Sequence, residues 1–210
     1  MNKSIFILSL ACVSIMSCGD AKENEAGVEN KDSVKVEHVE VPEVVTISGT
    51  YVVDSTVSEV TWRGDKSAKL DFHKGKIVIA SGNVVVENDF IIGGEFTFDI
   101  GSIYNVDTDA AGKTAGLAKH LKNEDFFNQD AQGMPKFSIK NVQDGIITGD
   151  FTVREVTQEI SFAANVVITE NSLSAQADSV HIPMTGFGMD YYEKHMKPTI
   201  IVGFNVIANK

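Results

Sequence analysis

From Ser48 onward, apolar and polar residues alternate with a period of two. Val60 and Trp62 alternate with Thr61 and Arg63, and Ile77 and Ile79 with Val78 and Ala80. Gly82-Asn83 reads as a turn dipeptide ahead of Val84 and Val86. Phe96, Phe98 and Ile100 alternate with Glu95, Thr97 and Asp99, and Phe137 and Ile139 with Lys136, Ser138 and Lys140. Asp144-Gly145 is a two-residue hairpin signal leading into Ile147, Gly149, Phe151 and Val153. Ile160, Phe162, Ala164, Val166 and Ile168 form the longest single apolar row, which Glu170-Asn171 turns into Leu173–Val180. A last strand, Thr199–Ala208, aligns Ile200, Val202, Phe204 and Val206. This pattern predicts about eight strands joined by short turns, hence an all-β sandwich or barrel. One helix interrupts it near Thr114–Asn123, with Leu117 and Leu121 one turn apart.

Alternation leaves one face of the sheet wet and the other dry. In a closed barrel the dry face points inward, where it either fills the interior or encloses one small apolar ligand. The period alone leaves both outcomes open. Trp62, Phe96, Phe98, Phe137, Phe151, Phe162 and Phe204 belong to this inward set. Phe126 and Phe127 follow the helix directly, and each ring covers roughly 150–250 Å² when buried. They are expected to plug the barrel or wall its interior.

The N-terminus reads as a targeting segment over residues 1–17. Lys3 supplies the positive charge, and Ile5–Met16 a core too short to span a membrane. Ile15-Met16-Ser17-Cys18 resembles a bacterial lipobox, with Cys18 as the lipidated residue. Cys12 is expected to leave with the signal peptide, so a lipidated Cys18 leaves the mature chain no thiol and no need of a disulfide; the alternative is an ordinary signal peptide cleaved near Ser17, with Cys18 free. Residues 18–47 are the lipidated cysteine and an acidic tether without aromatic residues, in which His38 is solvated. Residues 48–210 are the folded domain. The expected location is the bacterial cell envelope, lipid-anchored at the outer membrane. The formal charge of −11 argues against a nucleic-acid partner.

Catalytic patterns are sparse. His73, His120, His181 and His195 are scattered without metal-ligand spacing, and no metal site is expected. No G-x-S-x-G elbow and no phosphate-binding glycine loop occurs. Glu124-Asp125 and Asp107/Asp109 lie in polar loops, and Asp125 is read as a cap on the turn that holds Phe126 and Phe127. Asp190–Met196 is read as a loop packed on the barrel rim, with a lid over the mouth as the alternative.

Several of these stretches together resemble the YceI-like family. They are Tyr51-Val52-Val53-Asp54, Val60-Thr61-Trp62, Gly94-Glu95-Phe96 through Ser102-Ile103, and His120–Phe127. Pro135-Lys136-Phe137, Gly149–Val153 and Val156-Thr157 complete them. The resemblance implies an antiparallel eight-stranded lipocalin-like barrel with one inserted helix. It also implies an apolar tunnel that binds, sequesters or carries an isoprenoid-like lipid, with no catalytic residues and no other cofactor. Candidate tunnel residues are Trp62, Phe96, Phe98, Phe126, Phe127, Phe137, Phe151, Phe162 and Phe204. The expected partners are an amphiphilic lipid, the membrane through the anchor, and a second copy of the chain paired at an exposed sheet edge. An enzyme with a polar site at the mouth and a solid-core interaction barrel are the alternatives. The chain departs from the family pattern in two places. Phe151 and Glu155 stand where leucine and glycine are usual, and Met184-Thr185-Gly186-Phe187-Gly188 lacks the usual leading arginine.

Overall fold

The computed structural model describes residues 45–67, 71–106 and 113–210. Cys12, Cys18, His38, Asp107 and Asp109, with the signal expectation and the tether expectation up to residue 44, lie outside the described residues, whereas Ile47 at the expected tether's end exchanges backbone and side-chain bonds with Asp89, each at 2.8 Å. The described residues form β1 (Gly49–Val53), β2 (Glu59–Lys66), β3 (Phe72–Glu87), β4 (Phe90–Asn105) and α1 (Lys113–Lys122). Then follow β5 (Lys136–Gln143), β6 (Ile146–Val153), β7 (Val156–Ala163), β8 (Asn165–Ile168), β9 (Ser172–Pro183), α2 (Asp190–His195) and β10 (Met196–Asn209).

All strands pair antiparallel, in the order β7-β6-β5-β4-β3-β1-β10-β9-β8. The sheet closes on itself because its two end strands are consecutive in the chain. Only Ala164 separates β7, bonded to β6 through Ile146↔Ala163, from β8, bonded to β9 through Asn165↔Gln176. β2 shares the place of β1, since both lie between β3 and β10. The interruption is the loop after Val53. There Asp54 Oδ1 accepts from the Thr56 amide at 2.9 Å, and these Thr56 bonds hold the Asp54 carboxyl below its usual range. An aspartate bonded to the backbone two residues on is a stable turn.

The expected eight strands and single helix are therefore ten strand segments and two helices among the described residues. β1 with β2 and β7 with β8 each occupy one place in the wall, and α2 replaces the rim loop expected at Asp190–Met196. The apolar row Ile160–Ile168 likewise divides between β7 and β8. Gly82-Asn83 makes no turn, because β3 runs through it to Glu87. That hairpin instead closes at Asn88 and Asp89, both at positive φ.

The outer face is wet, with Thr148 and Ser161, and Thr152 and Thr157, sharing hydroxyl bonds across strands at 2.8 Å. The inner face forms two packed regions. One closes the end that carries the Asn88-Asp89 and Asp144-Gly145 turns, through Tyr51, Val53, Val84, Val86, Leu173, Val206 and Ala208. Tyr51 is fully buried there, and its hydroxyl donates to the Thr169 carbonyl at 2.7 Å. The other region lies toward the two helices.

The β6–β7 hairpin keeps its tight turn without glycine. Arg154 and Glu155 both adopt positive φ, at 51° and 67°. Left-handed backbone costs a non-glycine residue about 1–2 kcal/mol. Glu155 is exposed, so Glu155→Gly is expected to raise stability by about 1 kcal/mol, or about 2–4 °C in Tm for a domain of this size. Thermal denaturation followed by circular dichroism checks this, and a lowered Tm would contradict the strain.

Candidate functional site: an apolar interior in two chambers

The barrel interior holds two adjoining cavities. The upper one, of about 100 Å³, lies between the turn-bearing end and the middle of the barrel. Phe96, Phe137, Phe162 and Phe204 line it, with valines, isoleucines, Leu173 and Ala175. The lower one, of about 120 Å³, lies under the helices and is lined by Trp62, Leu121, Phe126, Phe127, Met184 and Tyr192 among others. Phe98 and Phe151 line both. All nine candidate tunnel residues thus face one chamber or the other.

Strand alternation delivers these rings, and local packing fixes them. Phe137 leans on Phe96 at 6.5 Å and on Phe162 at 5.5 Å between ring centroids, and Phe162 meets Phe204 at 5.9 Å. Such tilted and edge-on pairs contribute about 0.5–1.5 kcal/mol each beyond burial. The Phe137 ring lies over Gly149, where an added Cβ would come within 2.6 Å of it. The Ser138 carbonyl oxygen stands closer still, so a side chain at that position would have to displace the neighbouring strand as well as the ring. Trp62 keeps its indole donor satisfied on the Lys76 carbonyl at 3.3 Å, so it turns an apolar surface inward.

The helix end is a clasp. The Phe126 amide donates to the Asn123 carbonyl at 3.2 Å, and the Phe127 amide to the Leu121 carbonyl at 3.1 Å. These bonds fold the chain back under α1. Arg154 reaches across from the β6–β7 turn and donates to the carbonyls of Glu124 and Phe126, each at 3.2 Å. Phe126 then meets His120 edge-on at 5.0 Å, Tyr191 at 5.5 Å and Tyr192 at 6.2 Å. Tyr191 also contacts His120 at 4.8 Å and His195 at 4.3 Å.

Asp125 does not cap the turn as expected. Its amide donates to Asn123 Oδ1 at 3.0 Å, while its carboxylate holds His120 Nε2 at 2.8 Å. Asn123 therefore makes the cap, and Asp125 orients the imidazole against Phe126.

Sequence reasoning missed Met184, Met189, Tyr192 and Met196, which line the lower chamber. Their signal was the density of methionine and tyrosine around a glycine-rich bend. Tyr192 is buried, and its hydroxyl donates to the Lys197 carbonyl at 2.7 Å. Burial, with the negative charge of Asp65 as the smaller cause, pushes the phenol well above its usual range. Among the described residues it is the one titratable side chain lining either chamber, and it stays neutral. Where the usual arginine is replaced, Met184 is 2% exposed and part of the lower wall. Among the described residues no three His, Cys, Asp or Glu side chains gather as a metal site.

Among the described residues these features define an antiparallel β-barrel with a largely apolar interior and helices packed at one end. The family model for the YceI-like domain matches residues 51–208, and the chain belongs to that family. No curated protein matches it in sequence. Among solved structures it is similar to BcnA of Burkholderia cenocepacia, at 10% identity and a TM-score of 0.51, over 74% of this chain and 99% of that one. It is also similar to a mutant CJ YCEI protein with a monobromobimane guest, at 14% identity and a TM-score of 0.42, over 90% of this chain and 99% of that one.

Tyr192→Phe strands the Lys197 carbonyl at the clasp. The expected result is a loss of about 1–2 kcal/mol, read from urea denaturation, with the fold retained. An unchanged midpoint would show that the hydroxyl does not hold α2 in place.

Proposed function

We propose that this protein binds one isoprenoid-like or other single-chain amphiphile inside the barrel, and sequesters or carries it as a lipid-anchored protein of the bacterial envelope. The observation that carries this reading is the lining of the two chambers. Their walls are hydrocarbon, aromatic and thioether groups, with no charge to position a reacting substrate. An apolar wall rewards dispersion and water release rather than a particular head group. A buried chain of about ten methylenes gains roughly 8 kcal/mol before the cost of association. The polar end of such a ligand belongs outside the chambers.

An enzymatic reading has weaker support. Its best pair, His120 and Asp125, is spent on the clasp, and His120 faces aromatic rings. The anchor reading supports the same function, since Cys18 and its acidic tether would keep the barrel near a lipid source.

Trp62 makes a direct test practical, because it is the only tryptophan in the chain and lines the lower chamber. A long-chain alcohol brominated at its far end is expected to quench its emission saturably, with one ligand per protein by native mass spectrometry. Protein that gains no ligand mass from added isoprenoid or alkyl alcohols, and whose tryptophan is quenched no more than free indole, would rule the carrier function out.

A further inference from the structure

Five side chains line both chambers: Val60 of β2, Phe98 of β4, Phe151 of β6, Ile182 of β9 and Val202 of β10. They come from five places spread around the wall, so they form a ring across the barrel where the chambers meet. The open space of the interior divides in two at this ring, whose bulkiest members are Phe98 and Phe151, so the interior narrows there. We propose that it is a selectivity waist, with Phe98 and Phe151 limiting what crosses the barrel to a single unbranched or thinly branched chain. This rests on the carrier reading above and specifies the shape of its ligand.

The waist is braced rather than soft. The Phe98 amide donates to the Pro135 carbonyl at 3.0 Å, pinning that stretch of β4 beside the start of β5. Phe151 is backed by Phe187, which meets it edge-on at 5.9 Å and is itself 1% exposed. Phe187 sits in the bend between β9 and α2, and this bend is tied down on both sides. Gln158 Nε2 donates to the Thr185 carbonyl at 2.8 Å, and the Gly186 amide donates to Glu193 Oε1 at 2.9 Å. An interior packed this way yields to added bulk only by shifting the backbone or forcing side chains off their rotamers. A methylene chain passes such a ring, whereas a bulky group at mid-chain cannot occupy it without displacing a braced phenylalanine. Open space resumes on either side of the ring, so the restriction acts at the middle of the ligand.

The test compares eicosanol with an isomer that carries a tert-butyl branch at mid-chain, using titration calorimetry on the full barrel domain with its native sequence. Wild-type protein is expected to prefer the straight chain by about ten-fold or more. In Phe151→Ala the preference should shrink to about three-fold or less, through a gain for the branched isomer. Phe98→Leu and Phe151→Leu, which keep more of the packing, should relax it in the same direction if the alanine variant folds poorly. Equal binding of both isomers to wild type, or an unchanged preference in the folded variants, overturns the waist and leaves the carrier function standing. Failure of both isomers to bind wild type overturns the waist and the carrier function together.

Discussion

Closure of the sheet is the constraint on which the rest depends. An antiparallel sheet with one apolar face must bury that face, and here it does so against itself. The closure runs through a short piece of chain. β7 leaves the edge of β6, and past Ala164 the same extended chain becomes the partner of β9. Without that transfer, Phe162 on β7 and Val166 on β8 would not lie in one wall. The ring contacts from Phe96 through Phe137 and Phe162 to Phe204 cross β4, β5, β7 and β10, and they exist because the sheet has come round.

The inner face was largely legible in the chain, because inward residues alternate over most of each strand, with the parity shifting only at bulges in pairs such as β3–β4 and β9–β10, and aromatic rings mark it clearly. All the phenylalanines singled out from the pattern face a chamber, and the helix was placed within a residue of α1. The segmentation was not legible. A strand that changes partner at Ala164 keeps its period of two, so nothing local marks the change. Gly82-Asn83 has turn chemistry, yet β3 and β4 pair continuously across it, and tertiary pairing overrides a weak local signal. α2 has six residues, fewer than an isolated helix needs for stability. It exists because Tyr192 is buried and Phe126 packs against it, which are contacts that no local pattern encodes.

The helix end shows how side chains far apart in the chain are made interdependent. Arg154 and Glu155 accept strained backbone in the β6–β7 turn, and Arg154 bonds two carbonyls of the Phe126 segment. Phe126 is the centre of the aromatic cluster that joins α1 to α2. A departure from glycine at 155 thus leaves the turn type intact, since the sheet on either side dictates it. Sites where non-glycine residues hold positive φ persist when the surroundings over-determine them.

A cavity without polar anchors has to discriminate by shape. Transfer of hydrocarbon from water is non-directional and proportional to area, so a uniformly apolar tube would accept any sufficiently greasy molecule that fits. Two features break that uniformity. The chambers differ in character, aromatic and aliphatic above, with methionines and Tyr192 below. Methionine is flexible and polarisable, so the lower chamber tolerates irregular shapes better than the upper one. Between them stands a ring whose Phe151 is held from behind by Phe187. The arrangement places the adaptable wall under the helices and the rigid wall at the middle. Any occupant that spans both chambers meets its strictest geometric limit halfway along its length.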